Sequence, residues 1–325
     1  MRFLPDGKVD GSILSKRVFP YLGGEQKEIL VGPNVGIDAA VIDLSKLPGK
    51  MVVSQDPITG AGEKAGFHVV NVCANDVASM GAKPMFFLST IIMPKGTTEE
   101  ELEKISKDIE RAAKEIGVSI IGGHTEVSSK VSDLILSGTM IGFADRYLST
   151  SGAKENDDIL LTKGAGIEGT AILAESKYEY LSKFLDEGTL ERAMGLLDQI
   201  SVVKEAMIAS SLGAMALHDP TEGGIIGGLH EIADASNTGF EFYPDRVNLY
   251  NETKLICDVL KINPFGLISS GALMIISPKE NTEQIVNALE KENIKSTIIG
   301  KVTREERSHE RICQDELWRI LDTNL

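Results

Sequence analysis

The chain has 325 residues, 42% of them hydrophobic and 25% charged, with a formal net charge of −15. That length admits two domains, since a single core stops growing near ~250–300 residues, and the composition is that of a folded globular protein. The acidic balance argues against a nucleic-acid partner, which needs a basic face; with no apolar run long enough to span a bilayer and no signal-peptide core, a cytoplasmic protein without a membrane partner is expected.

The first half reads as strands at 39–44 and 51–54, joined by a turn at Pro48-Gly49. A helix at 66–80 and a strand at 85–93 follow. Thr98 and Glu101 have the spacing of a capping box. The helix they open carries Leu102, Ile105, Ile109, Ala112, Ala113 and Ile116 on one face and ends at Gly117. Strands at 118–121 and 134–143 complete a β-β-α-β-α-β order: an α+β domain with two helices on one face of an antiparallel or mixed sheet. The polar stretch 149–157 marks a boundary, giving domains at 1–150 and 151–325. The second half alternates a strand at 158–162, a helix from about 168, a long helical region at 189–210, a strand at 214–218 and helices at 223–235 and 251–260. A strand at 272–277, a helix at 281–292 and a strand at 296–302 close it, as expected of a second, α/β domain.

Acids fall at strand ends in the first domain. Asp38 precedes the first strand and Asp56 follows the second, and strand ends on one sheet edge can converge on a site with the hard oxygen ligands that suit Mg²⁺. The helix at 66–80 is apolar or small at nearly every position yet carries Asn71, Asn75 and Asp76. A buried carboxylate needs a partner, so these residues indicate a metal or substrate contact, or a hydrogen-bonded core pair. Next, a strand ends in Gly122 and Gly123, followed by His124, Thr125 and Glu126. The glycines allow close approach by a backbone or a ligand, and His124 is a phosphate or metal ligand or a hydrogen-bonded loop histidine.

Gly164, Gly166 and Gly169 outline a dinucleotide fingerprint, but the acid-ending strand expected about 20 residues on is missing, so the glycines line a phosphate or pack the helix. At 216–235 a short strand leads to Asp219 at a helix N-cap position, Pro220 at the first helical position and Glu222 in capping-box spacing. Thr221, Gly223 and Gly224 follow the pattern of a helix N-terminus that either binds phosphate on free backbone N–H groups or packs closely on a sheet. The acidity of the chain is compatible with phosphate if a divalent cation intervenes, because two like charges ~4 Å apart repel by about 4 kcal/mol at an effective dielectric of 20. Three cysteines, Cys73, Cys257 and Cys313, show no metal or disulfide spacing and are expected to be reduced and buried.

In order, the segments around Asp38, Asp56, 75–84, 122–126 and 218–224 resemble the AIR-synthase-related superfamily over about residues 36–275. That superfamily includes aminoimidazole ribonucleotide synthetase, selenophosphate synthetase, thiamine-monophosphate kinase and the hydrogenase-maturation protein HypE. The resemblance implies a two-domain fold, a homodimer formed through barrel-like pairing of the N-terminal sheets, and ATP with Mg²⁺ near that interface. By position it implies Asp38, Asp56 and Asp76 as the metal acids. Asn75, Gly122, Gly123, His124, Thr125 and Glu126 would hold the nucleotide, and Asp219, Thr221, Gly223 and Gly224 phosphate or substrate; Asp76 and His124 are the catalytic candidates. The activity implied is phosphoryl transfer to, or ATP-driven activation of, an oxygen on an amide, formyl or phosphate-type acceptor. The pattern is most like HypE, but the C-terminal cysteine tail of that branch is missing: the chain ends LeuAspThrAsnLeu, and Cys313 precedes an amphipathic segment that Leu317, Trp318 and Ile320 should tie down. A nucleotide-binding scaffold protein in cofactor assembly and a small-molecule kinase are the alternatives.

Overall fold

A computed structural model describes residues 3–34, 37, 39–59 and 64–323. The chain divides into two compact units, residues 1–78 with 82–146 and residues 79–81 with 147–325.

The first unit runs β1 (Gly7–Lys8), α1 (Gly11–Arg17), β2 (Ile29–Val31), β3 (Val41–Ile42), β4 (Lys50–Thr59), α2 (Ala65–Ser79), β5 (Lys83–Pro94), α3 (Glu99–Ile116), β6 (Ser119–Ser128) and β7 (Ile135–Ala144). Five strands form a mixed sheet in the order β1-β6-β5-β7-β4, with β5 and β6 parallel and the other pairs antiparallel. Helix α3 opens on the Thr98/Glu101 capping box and ends at a left-handed Gly117. Only Val41 and Ile42 of the expected 39–44 strand pair, and they pair with β2 in a separate ribbon. Asp43 ends the strand by capping the next turn through the Ser45 N–H.

Helix α2 lies on β7 because β7 offers no side chains there. A Cβ on Gly138 would come within 2.9 Å of Cys73 Sγ and 2.6 Å of the Phe87 ring, and one on Gly142 within 2.4 Å of Val77. Phe67, Val69, Val70, Cys73, Ala74 and Val77 are buried on this helix, so the apolar run read from the sequence is core.

The second unit runs β8 (Asp158–Thr162), α4 (Ile167–Ser176), α5 (Tyr178–Leu181), α6 (Glu187–Gly195), α7 (Val203–Ser211), β9 (Ala216–His218), α8 (Gly224–Ser236), β10 (Gly239–Phe242), α9 (Asn251–Leu260), β11 (Met274–Ser277), α10 (Lys279–Lys291), β12 (Ser296–Thr303) and α11 (Glu316–Leu321). Its sheet, β10-β12-β8-β11-β9, is antiparallel at every pairing. The alternating element order expected of an α/β domain is present, but the strand pairing is that of an α+β layer. The expected helical region at 189–210 is two α-helices separated by a short 3₁₀ turn. The glycines of the dinucleotide-like pattern pack the fold: a Cβ on Gly169 would lie 2.4 Å from Leu267, and one on Gly164 2.8 Å from the Asn248 carbonyl.

The segment after β12 is strapped to α8 and β10. Phe240 N–H donates to the Glu306 carbonyl and Ser308 N–H to the Phe240 carbonyl. Arg307 and Arg311 pair with Asp234. The buried His230 donates from Nε2 to the His309 carbonyl at 3.0 Å, and its Nδ1 accepts from Arg307 at 3.2 Å. Leu317 and Ile320 of α11 are buried against α4, α6 and α9, and Lys177 Nζ donates to the Leu321 and Thr323 carbonyls. The C-terminal segment is therefore tied down, as its amphipathic pattern implies. Cys73 and Cys257 are buried, but Cys313 is exposed, contrary to expectation, because it lies before the part of the segment that α11 anchors.

Two predictions follow from this packing. Gly138→Ala should destabilise the protein by about 1–3 kcal/mol, seen as a lower urea midpoint, because the added methyl overlaps Phe87 and Cys73. Burial, with the charges of Arg307 and Arg311 adding to it, lowers His230 below the usual 6.5. Between that lowered value and 6.5 the unfolded chain binds a proton that the native chain refuses, so stability is complete above pH 6.5 and falls as pH drops through the window. Urea unfolding from pH 7.5 to 5 should show that decline in the wild type and a flatter profile in His230→Gln.

Candidate metal and nucleotide site

Strand β4 is an edge strand with alternating exposure. Met51, Val53, Gln55 and Pro57 face outward, and Ser54 and Asp56 turn toward the helix-covered face. Asp56 was expected just past the strand; it lies inside it, since Pro57 is tolerated on a sheet edge and does not end the pairing. Ser54 Oγ donates to Asp76 Oδ2 at 2.5 Å and stands 3.4 Å from Asp56 Oδ2. The seat of α2 on β7 thus brings the acids of β4 and α2 to either side of one hydroxyl.

Cys73, one turn before Asp76, lies beneath the pair. Its thiol donates to the Gly138 carbonyl at 3.3 Å. Burial pushes this thiol up to about 12, with the charges of Asp56 and Asp76 adding to the shift, so it stays protonated. Asn75 is fully buried on the same helix, and Asn71 Nδ2 donates to the Phe67 carbonyl at 2.9 Å, the core role of the two weighed for it. Asp38 lies outside the described residues. Among the described residues no group of three or more His, Cys, Asp or Glu side chains gathers as a metal site. Asp56, Asp76 and Ser54 offer two carboxylates and a hydroxyl, the hard oxygen donors that Mg²⁺ takes.

The 122–126 segment is not a loop. It lies within β6, opposite 88–92 of β5, with a register shift where the glycines begin. A Cβ on Gly123 would sit 2.1 Å from the Ser89 carbonyl oxygen, and its φ of +154° suits only glycine, so it is β5 that approaches the glycine closely. Cross-strand pairing sets Asp56, Gly138, Ser89 and Gly123 in one row and Pro57, Ser137, Thr90 and His124 in the next. Successive rows point to opposite faces. Thr125 therefore faces the helices and is buried, whereas His124 and Glu126 share the other face, where His124 Nε2 lies 3.1 Å from Glu126 Oε2. Within one copy of this unit the acid pair and the His124/Glu126 pair stand on opposite sides of the sheet.

In the second unit, Asp219 is not a helix cap. Helix α8 begins five residues later, after a left-handed Gly223, because Gly224 packs against the backbone of residues 265–267, where a Cβ would lie 2.5 Å from the Leu267 carbonyl. Asp219 is buried and accepts from Ser79 Oγ at 3.3 Å, while Thr221 is exposed. The two glycine N–H groups expected to be free both have partners: Gly224 donates to the Thr221 carbonyl and Gly223 to Asp315 Oδ2 at 2.7 Å. A carboxylate of the chain's own C-terminal segment thus takes an anion's place at the positive end of α8. Asp315 also caps α11 through the Leu317 N–H, and Trp318 Nε1 donates to Glu222 Oε1 at 3.0 Å.

Sequence reasoning missed three contributors: Ser54, Cys73 and Asp315. The i, i+2 spacing of Ser54 and Asp56 was available as a signal; the other two depend on contacts more than 60 residues apart.

The chain matches the N-terminal domain of the AIR synthase related proteins over residues 36–144 and their C-terminal domain over 154–312. It belongs to this family. It is 31% identical to a hydrogenase expression/formation protein of Methanocaldococcus jannaschii, covering 77% of this chain and 74% of that protein. It is 29% identical to the carbamoyl dehydratase HypE of Azotobacter vinelandii, over 80% and 77% of the two chains, and 30% identical to the thiamine-monophosphate kinase of Pyrococcus horikoshii, over 74% and 72%. A crystal structure of the hydrogenase maturation protein HypE in complex with ATP shares the fold, with a TM-score of 0.78 over 96% of this chain and 97% of that one at 22% identity.

Asp315→Ala removes hydrogen-bond acceptors from the Gly223 and Leu317 N–H groups. It should cost about 1–3 kcal/mol in urea unfolding. The only tryptophan, Trp318, should report the loosening of α11 as a shift of its emission toward that of a solvated indole.

Proposed function

We propose that this chain is an ATP- and Mg²⁺-dependent enzyme of the AIR-synthase-related family, closest in activity to HypE. It would transfer phosphate to, or activate with ATP, an oxygen on an amide-type acceptor. The observation that carries this reading is the Ser54-bridged pair of Asp56 and Asp76 in a chain whose relatives include the ATP-bound HypE. Asp56 and Asp76 would hold the Mg²⁺, joined by Asp38; the ion supplies charge neutralisation at the phosphate oxygens. Ser54 fixes the Asp76 carboxylate by donating to Oδ2. Asn75 supports the same helix face.

Residues 1–150 would bind the nucleotide and form the homodimer, and residues 151–325 would supply contacts to phosphate or substrate. The sheet face bearing Met51, Val53 and His124 is open to solvent in part, with Met51 61% exposed, which fits a sheet-to-sheet interface. Gly122 and Glu126 would reach the nucleotide from that interface beside His124, and Gly123 and Thr125 from the helix-covered side that Asp56 also faces. Asp219 and Thr221 would contact phosphate or substrate from the second domain, with Gly223 and Gly224 able to contribute only once Asp315 and the Thr221 carbonyl release their N–H groups. No helix among the described residues is long and apolar enough to cross a membrane.

The similarity to a thiamine-monophosphate kinase favours a second reading, direct phosphorylation of a small acceptor. Calorimetry with a non-hydrolysable ATP analogue should show binding that requires Mg²⁺ and is lost in Asp76→Asn. Phosphate released without a labelled product points to the ATP-driven dehydration class; label recovered on a small phosphorylated metabolite points to the kinase. Binding with no turnover marks a scaffold protein and overturns both.

A further inference from the structure

Beneath the proposed metal acids, Cys73 is fully buried on α2. Its Sγ–H donates to the Gly138 carbonyl of β7 at 3.3 Å. Asp76 lies three residues along the same helix, on the same face. Gly138 is opposite Asp56 in the β4–β7 register, so one sulfur atom touches the row that carries one acid while standing on the helix that carries the other. An ordinary core residue here would be an aliphatic side chain filling the space that Gly138 leaves. The thiol fills that space and also makes a directional bond.

We infer that Cys73 is a positioning residue: by joining α2 to the Asp56–Gly138 row it sets the spacing of the Asp56 and Asp76 carboxylates for a divalent cation. This inference rests on the reading of the acid pair as the metal site and adds to it the residue that sets the site's geometry. The Ser54 hydroxyl fixes the pair from above and the Cys73 thiol from below. Partners behind metal ligands tune affinity by about 10–100-fold when removed.

The experiment compares Cys73→Ala and Cys73→Ser with the wild type, titrating Mn²⁺ by electron paramagnetic resonance and Mg²⁺ by calorimetry in the presence of an ATP analogue. Thermal midpoints are recorded without metal. Both substitutions disturb a packed core, so both should lower the midpoint. Only Cys73→Ala loses the hydrogen bond to Gly138, and it should weaken metal binding roughly tenfold. Cys73→Ser keeps a donor and an acceptor on the same atom and should bind metal within about twofold of wild type despite its lower midpoint. Metal affinity that follows the thermal midpoint in both variants, or wild-type affinity in Cys73→Ala, overturns the positioning role. Asp76→Asn separates the two levels of the argument. If it binds metal like the wild type, the acid-pair site falls and Cys73 with it; if it loses the metal while Cys73→Ala keeps it, only the role of Cys73 falls.

Discussion

Helix α2 can lie on its sheet only because β7 presents Gly138 and Gly142 where side chains would collide with Cys73 and Val77. Everything at the acidic site follows from that seat. It brings Asp76 over β4, sets the Ser54 hydroxyl between two carboxylates and places the Cys73 thiol against the backbone of the neighbouring strand. A carboxylate pair is costly where it is partly removed from water, so the fold holds it with donors rather than with apolar packing alone.

The second constraint is the two-residue period of the sheet. Asp56 and His124 both stand among motifs that follow each other in the sequence, and a linear reading gathers them at one edge. Pairing across four strands separates them by one row, and one row is the difference between the helix-covered face and the open face.

Much of this was legible in the chain. Helix α3 announces itself through Thr98, Glu101 and Gly117, and β8 and α9 match their apolar runs at both ends. Asp76 stood out because a buried-looking helix has no use for a carboxylate without a partner, whereas Asp56 was marked only by its place beside a strand end. What the sequence concealed were features decided by neighbours distant along the chain. A β4 that runs through Pro57 is possible only at a sheet edge, and edges are a property of the assembled sheet. The paired glycines at 122–123 read equally as a ligand loop or as a strand pressed against another strand, and only the position of Ser89 decides between them.

The same ambiguity governs the glycine-rich start of α8, where local pattern alone suggests an anion site. A helix N-terminus attracts negative charge from any source, and the chain's own Asp315 is tethered at far higher local concentration than any free phosphate. That contact also fixes the direction of α11, whose apolar face then completes the core beside α4, α6 and α9. A motif that binds an external anion in one sequence can therefore serve as an internal fastening in another, and the deciding term is the carboxylate 92 residues away. In this chain the electrostatic preference of the helix end is used to hold the C-terminal segment.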